Sequence, residues 1–269
     1  MTTRTDEATA VVTAVVTALE RRAWHETVMG MPLSVHLRGP HLGGTERAVA
    51  AVITEMHRLD RIFSPYRPDS ELRRYEAGHL TLRDCSPEMT EVVDLCKLAT
   101  ALTGGDFDAR RPLPGGGLTF DPSGLVKGWA VDRASRHLCG LGVDWYVNAG
   151  GDIAAHVADE ERPAWQVGIQ DPADRSRVIA LVSLRDGGVA TSGTSARGEH
   201  LWDPHTGEAA RGCASVTVVG PTLTWADVLA TAVFVHGPEA AEWVAEDGYE
   251  VIVVHRDGRA ERTLPRVPV

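Results

Sequence analysis

The sequence predicts an α+β fold in which helices pack in layers against mixed or antiparallel sheets. Strand-like segments are joined by hairpin-type turns, helical segments do not alternate strictly with them, and no internal repeat or linker divides the chain. With 269 residues, of which 43% are hydrophobic, the chain is long enough to bury a sizeable core. We expect an N-terminal helical extension over 1–23 and a main domain over 24–269.

Apolar residues at helical spacing, together with boundary signals, predict the helices. In the clearest case Ser86 supplies an N-cap, Pro87 occupies the first turn, and Gly104 follows the end of the helix. The predicted helices cover 9–24, 46–62, 86–102, 125–138, 225–235 and 239–246.

Short runs rich in β-branched and aromatic residues, bounded by turn residues, predict the strands. One short strand starts at Leu118 and leads through a Pro-Ser-Gly turn into a helix, and the last strand opens a hairpin at Asp257 and Gly258. The other predicted strands cover 26–38, 145–148, 165–170, 178–184, 215–219 and 250–255, with a turn over 149–152.

The charge balance excludes some classes of protein. Acidic side chains outnumber basic ones by 37 to 27, and the resulting net charge of −10 argues against binding to nucleic acid. The apolar stretch over 8–19 is interrupted by threonines and preceded by acidic residues, so it predicts neither an export signal nor a membrane span. The four cysteines have no CxxC spacing, and we expect free thiols. They are Cys85, Cys96, Cys139 and Cys213.

The predicted helix over 225–235 is almost wholly apolar, yet it contains Asp227 and Thr231 four residues apart. This spacing places both side chains on one helix face. Burying an ionised carboxylate is costly unless a cation or a hydrogen-bond network meets it. Oxygen ligands of this kind suit Mg²⁺, so the pair could form a metal site. In the alternative, backbone amides satisfy the aspartate and Thr231 is hydrogen-bonded to its own helix.

A glycine-containing turn at 121–124 precedes another predicted helix, and Lys127 follows one turn later. Backbone amides at a helix N-terminus can bind phosphate, and a nearby lysine adds positive charge. The segment lacks the patterns of a dinucleotide fold or a P-loop, so an ordinary helix start with an exposed lysine is the alternative. Lys97 and Lys127 are the only lysines in the chain.

A turn-rich stretch contains Thr191, Ser192 and Gly193, followed by His200 in a segment with a second histidine. Loops often carry catalytic groups, and His200 could act as a general base. The alternative is a loop histidine with a structural hydrogen bond. Further upstream, Tyr66 lies in a proline-restricted loop, where it could stack on a planar ring or pack at a loop corner.

Taken in order along the chain, these segments resemble the ApbE family, the FAD:protein FMN transferases. The resemblance extends over about 29–237. Its motifs are Met29-Gly30-Met31-Pro32, Phe63-Ser64-Pro65-Tyr66, Asp106-Phe107-Asp108, Gly124-Leu125-Val126-Lys127-Gly128, Asn148-Ala149-Gly150-Gly151-Asp152, Ala190-Thr191-Ser192-Gly193, His200-Leu201-Trp202-Asp203-Pro204-His205-Thr206-Gly207 and Ala226-Asp227-Val228-Leu229-Ala230-Thr231-Ala232.

The resemblance implies an ApbE-like, T-fold-like architecture and a Mg²⁺-dependent transfer of FMN from FAD to a threonine hydroxyl of an acceptor protein, which releases AMP. It implies that Asp227, Thr231 and the carbonyl of Gly124 hold the metal, and that His200 is the catalytic base. The positions that it implies for contact with FAD are Met29, Tyr66, Asp108, Ala109, Arg110, Lys127, Thr191, Ser192 and Gly193.

The implied partner is a protein with an Asp-Gly-x-Ser/Thr-Gly/Ala-x-Ser/Thr motif. Family members that act outside the membrane usually carry an export signal and a lipid-attachment cysteine. The sequence shows neither pattern, and we therefore expect this chain to be cytoplasmic. Two alternatives use the same residues. One is an FAD pyrophosphatase that produces FMN and AMP, and the other is an FAD-binding protein without turnover.

Overall fold

Helices and antiparallel strands make up the computed structural model, which describes residues 19–113, 116–193, 202–210 and 212–266. The strands are β1 (Glu20–Val28), β2 (Met31–Gly39), β3 (Arg110–Pro112), β4 (Leu118–Phe120), β5 (Asp144–Ala149), β6 (Asp152–His156), β7 (Trp165–Gln170), β8 (Val178–Leu184), β9 (Asp186–Gly193), β10 (Ser215–Gly220), β11 (Glu250–Val254) and β12 (Ala260–Thr263). The helices are α1 (Glu46–Phe63), α2 (Glu71–Glu76), α3 (Pro87–Leu102), α4 (Ser123–Ser135), α5 (Leu223–His236) and α6 (Ala240–Glu246).

An eight-stranded sheet is the centre of the fold. Its strands lie in the order β1-β2-β5-β6-β9-β10-β11-β12, and each pair of neighbours is antiparallel. The remaining strands form two ribbons, β3–β4 and β7–β8. The predicted α+β class with layered antiparallel sheets is therefore confirmed.

The two faces of the central sheet are covered by different layers. On one face, Val216 and Val218 of β10 belong to the main core, which also contains residues of α1, α3, α4 and α5. On the other face, Val189 of β9 and Ile252 of β11 pack in a smaller core with Val182 of β8. Because neighbouring residues of a strand point to opposite faces, one strand can supply both cores. We call these surfaces the helix face and the ribbon face.

Local signals at the helix ends work as predicted. The side chain of Ser86 accepts a hydrogen bond from the amide of Met89 and caps α3, with Pro87 in the first turn. Helix α4 begins at Ser123 and is followed by a single 3₁₀ turn, Arg136–Leu138, which together cover the predicted 125–138 segment. The helices predicted over 46–62, 225–235 and 239–246 are α1, α5 and α6.

Helix α5 lies close to both α4 and β9 because glycines face its first residue. A Cβ atom at Gly128 of α4 would lie 2.7 Å from the carbonyl oxygen of Leu223, and one at Gly188 of β9 would lie 2.4 Å from its Cα. Any larger residue would push the start of α5 outward. These contacts fix the position of the helix that contains Asp227 and Thr231.

Three predictions about secondary structure require correction. The strand predicted over 26–38 is interrupted by a tight turn at Met29 and Gly30, which separates the end of β1 from β2. Part of the helix predicted over 9–24 lies outside the described residues, and Glu20–Val28 is strand β1, in which Trp24 pairs with Val35 of β2. Pairing with β2 overrides the local helical pattern. The stretch 191–193, predicted to be turn-rich, is the end of β9, where small residues allow close packing against β10.

All four cysteines lie in the described part of the chain and are free, as predicted. Among the described residues, each helix is too short or too polar to cross a membrane.

Candidate functional site

A cavity of about 230 Å³ on the helix face brings most of the predicted site residues together. It lies between the first turns of α4, the middle of α5 and the ends of β6 and β9. The predicted residues that line it are Met29, Tyr66, Asp108, Gly124, Lys127, Thr191, Ser192, Gly193, Asp227 and Thr231.

The two polar residues of α5 face this cavity side by side. Asp227 is 2% exposed, and its Oδ2 atom is buried without a hydrogen-bond partner among the described residues. The Thr231 hydroxyl lies 3.1 Å from the hydroxyl of Ser192 on β9. The alternative in which backbone amides fully satisfy Asp227 does not match this geometry, because one carboxylate oxygen still needs a partner.

Lys127 of α4 lies between two buried carboxylates. Its ammonium forms an ion pair with Asp152 and lies 3.5 Å from Oδ1 of Asp227. Three-quarters of the lysine side chain is buried, so it is not the exposed lysine of an ordinary helix start. This network of Asp227, Lys127 and Asp152 joins α4, α5 and β6.

Asp152 ends one of the motifs that carry the resemblance, but the sequence reasoning gave it no role in the site. It is 2% exposed and begins β6 after Gly150 and Gly151, which both have positive φ angles. Its Oδ1 atom accepts a hydrogen bond from the backbone amide of Thr191 at 3.0 Å. The available signal was a carboxylate directly after a glycine pair, since such a tight turn places the next side chain at a sheet end.

The electrostatics of the network favour an additional cation. Burial raises the pKa of Asp227 above its ordinary range, the nearby Lys127 lowers it, and the charge of Asp152 raises it again. Two buried carboxylates therefore share one ammonium group. A divalent cation would stabilise their ionised forms.

The oxygen atoms around Asp227 are of the kind that Mg²⁺ prefers. They include the partnerless Oδ2 of Asp227 and the Thr231 hydroxyl. The backbone of Gly124 is close as well, because a Cβ atom built there would lie 3.9 Å from Oγ1 of Thr231 and 3.1 Å from the ring of Phe107. The residues present thus fit a hard cation that binds few protein oxygens.

Thr191 and Ser192 point to opposite faces of the sheet. The hydroxyl of Thr191 lies 2.8 Å from that of Thr217 on β10, whereas Ser192 contacts Thr231 on the helix face. Thr191 therefore contributes its backbone amide to the cavity network, through Asp152, and Ser192 contributes its hydroxyl.

Tyr66 lies at the mouth of the cavity and is 78% exposed, so it is not packed at a loop corner. It lies beside the β1–β2 turn, since a Cβ atom at Gly30 would lie 3.9 Å from its ring. In this turn Met29 has a φ angle of 54°, a conformation that non-glycine residues seldom adopt. An exposed ring at the mouth is available to stack on a planar ligand.

Of the three residues after Phe107 that were predicted to contact FAD, the cavity is lined by Asp108 alone. Asp108 lines the cavity and accepts hydrogen bonds from the backbone and the guanidinium of Arg110. Burial raises the pKa of Asp108, but these bonds outweigh burial and the net shift is downward. Ala109 is buried in the core, and Arg110 is exposed and does not line the cavity.

The predicted base His200 lies outside the described residues. The nearest described residues on either side, Gly193 and Trp202, both line the cavity. Close to Trp202, the sequence reasoning missed a cluster in which Asp106 contacts Nε2 of His205 at 3.0 Å and Nδ1 of His236 at 2.9 Å. Asp106 also lines the cavity, so this cluster connects its wall to the end of α5.

Sequence comparison identifies similar proteins. The sequence model of the ApbE family matches residues 29–112 and 109–253. A protein named FAD:protein FMN transferase from Klebsiella pneumoniae is 33% identical over 158 residues, which are 54% of this chain and 45% of the relative. The Escherichia coli (strain K12) protein of that name is 32% identical with the same coverage. The chain thus spans about half the length of these curated relatives.

A longer alignment and solved structures agree with this match. The Vibrio cholerae protein of the same name is 26% identical over 79% of this chain and 84% of its own length. The ApbE protein from Thermotoga maritima has a TM-score of 0.79 at 22% identity and covers 92% of this chain and 100% of that one. The apo flavinyl transferase ApbE from Pseudomonas stutzeri has a TM-score of 0.75 at 24% identity, covering 94% and 99%. These structures share the fold.

Proposed function

The chain belongs to the ApbE family, and from this premise we propose that it transfers FMN from FAD to a threonine hydroxyl of an acceptor protein and releases AMP. The observation that carries the proposal is the network of Asp227, Lys127 and Asp152, which lies in one cavity with Thr231 and Ser192. Relatives named FAD:protein FMN transferase support it.

Asp227, Thr231 and the carbonyl of Gly124 would hold Mg²⁺. The partnerless Oδ2 of Asp227 and the closeness of Gly124 to Thr231 support this set. When bound, Mg²⁺ supplies positive charge that polarises phosphorus and neutralises the departing phosphate.

The other cavity residues would bind and orient the nucleotide. Together with a bound divalent cation, Lys127 would outweigh the charges of Asp152 and Asp227 and give the site a positive potential for the diphosphate, in a protein that is acidic overall. The ring of Tyr66 at the mouth would stack on one of the two ring systems of FAD. A hydrogen bond with Ser192 orients the hydroxyl of Thr231, and the ion pair with Asp152 orients the ammonium group of Lys127.

At phosphorus, the transfer forms one bond and breaks one, and a proton moves from the acceptor to a base. The acceptor oxygen bonds to the phosphorus of the FMN half, the bridging oxygen leaves with AMP, and the threonine proton goes to His200, the proposed base. The acceptor would carry the Asp-Gly-x-Ser/Thr-Gly/Ala-x-Ser/Thr motif. The threonine hydroxyl needs a base such as His200 because the hydroxyl loses its proton as the new bond forms.

Incubation of the protein with FAD, Mg²⁺ and a synthetic peptide with this motif tests the proposal. The expected result is a peptide whose mass increases by that of FMN less one water, as a phosphoester requires, together with stoichiometric AMP. Accumulation of free FMN and AMP with an unmodified peptide would instead establish the pyrophosphatase alternative. Intact FAD that stays bound after long incubation would establish a binding protein without turnover.

A further inference from the structure

A groove of about 520 Å³ lies on the ribbon face of the central sheet, opposite the helix-face cavity. The sheet forms its floor, and the ribbon strand β7 forms its wall. The groove and the cavity meet at the end of the sheet, because Gly150, Asp152, Thr191 and Gly193 line both. We call this space the β7 groove.

The wall of the β7 groove is the edge of a strand. All six residues of β7, Trp165–Gln170, line it, whereas no residue of β8 does. Within the described part of the chain, β7 pairs only with β8. The opposite edge of β7 therefore faces the groove, and such an edge can form main-chain hydrogen bonds to an extended peptide.

The floor of the groove provides polar groups suited to a polypeptide. Ser215 is 3% exposed and lines the groove, and its hydroxyl has no hydrogen-bond partner among the described residues. Two carboxylates, Asp152 and Asp171, line the groove together with Arg175. Among the described residues, Arg175 is the one cationic side chain that lines the groove, so the groove provides little charge to neutralise a dianionic nucleotide. A peptide, by contrast, can use both the hydroxyl and the strand edge.

We propose that an extended segment of the acceptor protein binds in the β7 groove as an additional strand and presents its hydroxyl at the end of the sheet near Gly193. The inference rests on the proposed function. Six strand residues span about 20 Å, which is enough for a short motif. Entry from the ribbon face brings the hydroxyl to the end of the sheet that the groove and the cavity share, beside the site proposed for the diphosphate.

Backbone methylation of the acceptor provides a specific test, because it removes single N–H donors without changing side chains. The probes are the peptide Asp-Gly-Ala-Thr-Gly-Ala-Thr and two forms N-methylated at alternate residues, in odd or in even register. Successive N–H groups of a strand point to opposite sides, so only one register faces β7. We expect that register to lose about tenfold or more in kcat/KM and the other to stay within about threefold. Equal effects of both registers would overturn the inference.

Photocrosslinking locates the peptide independently. A photoreactive amino acid replaces Gln166 or Gln170, two exposed residues of β7 that line the groove. The matched control replaces Leu181 of β8, which is 60% exposed and lies outside the groove. We expect the peptide to crosslink at both glutamine positions and not at Leu181.

Parallel measurements separate this inference from the proposed function. If the unmodified protein produces neither FMN-peptide nor AMP, the proposed function is wrong and the inference that rests on it falls too. If transfer proceeds while crosslinking at Gln166 and Gln170 does not exceed that at Leu181, only the groove assignment is wrong. Crosslinks between two copies of the chain, unaffected by the peptide, would assign the groove to self-association and would also overturn the inference.

Discussion

The carboxylate of Asp132 accepts two hydrogen bonds from Thr224, one from its backbone amide at 2.8 Å and one from its hydroxyl at 2.6 Å. Asp132 also accepts a bond from the amide of Leu223, so it satisfies N–H groups at the start of α5. Through these bonds α4, which contains Lys127, holds α5, which contains Asp227. The geometry of the candidate site therefore depends on a contact outside the cavity.

Replacement of this carboxylate should destabilise the protein. Asp132→Ala removes three hydrogen bonds at a helix N-terminus, and we expect the free energy of unfolding to fall by about 2 kcal/mol. Burial raises the pKa of Asp132, with its bonds to Thr224 opposing, so Asp132→Asn, which has no charge to desolvate, should lose less. Urea denaturation measures both. The control is Asp94→Ala on the surface of α3, and an equal loss there would contradict the prediction.

The predictable parts of the fold are those that depend on local signals. The cap at Ser86 and the i, i+4 pair of Asp227 and Thr231 act within one or two helical turns, and both were predicted. The first part of strand β1, over 20–24, was not, because its conformation depends on pairing with β2 rather than on its own polar, helix-compatible residues.

Within the site, the sequence did not predict contacts between residues that come together only through the order of the strands in the sheet. Asp152 contacts Lys127 and Thr191, which are distant along the chain, and their approach depends on β6 pairing with β9. The opposite orientations of Thr191 and Ser192 require knowing that the stretch is a strand. Its small residues and glycines are typical of turns, and for this reason the stretch was not predicted to be a strand.

Binding of Mg²⁺ at Asp227 can be measured without catalysis. A ligand that binds only the folded protein raises its melting temperature, by about 5 °C at roughly 100 times the Kd for a chain of this size. We expect this shift in the unmodified protein and none in Asp227→Asn, because the partnerless Oδ2 is lost as a charged ligand. Asp186→Asn, at an exposed carboxylate, serves as the control. An unchanged shift in Asp227→Asn would remove this residue from the metal site.

Substitution of Ser192 should impair FAD cleavage, whereas substitution of Thr191 should leave the affinity for FAD nearly unchanged. Ser192→Ala removes the hydroxyl that contacts Thr231, and we expect kcat to fall about tenfold, as for residues that orient metal ligands. Thr191→Val removes a contact with Thr217 on the ribbon face but keeps the backbone amide that binds Asp152. The KM for FAD should therefore stay within about twofold. Steady-state kinetics decide this, and a larger loss of FAD affinity in Thr191→Val would be inconsistent with the two-face arrangement.

The cysteines should differ sharply in their reactivity. Burial raises the pKa of Cys96 to about 12, with nearby Asp108 adding to the shift, and burial raises that of Cys213 to about 12 as well. At pH 8 about one such thiol in 10⁴ is ionised, and the thiolate is the reactive form. Cys139 is exposed, so we expect it to react first with a thiol reagent and Cys96 and Cys213 only after unfolding. Mass spectrometry of the labelled protein identifies the labelled cysteines. Labelling of Cys96 in the folded protein would contradict the predicted order of reactivity.

Asp106 should couple the wall of the cavity to the end of α5. Each of its carboxylate oxygens bonds to one histidine ring, His205 from the turn after Trp202 and His236 from the last residue of α5. Because both rings are about half exposed, we expect Asp106→Ala to lower the free energy of unfolding by only about 1–2 kcal/mol. A double-mutant cycle with His236→Ala, measured by urea denaturation, should show a coupling of about 0.5–1 kcal/mol. Strict additivity would mean that the Asp106–His236 contact contributes nothing, and Asp106 would then not couple the wall of the cavity to α5.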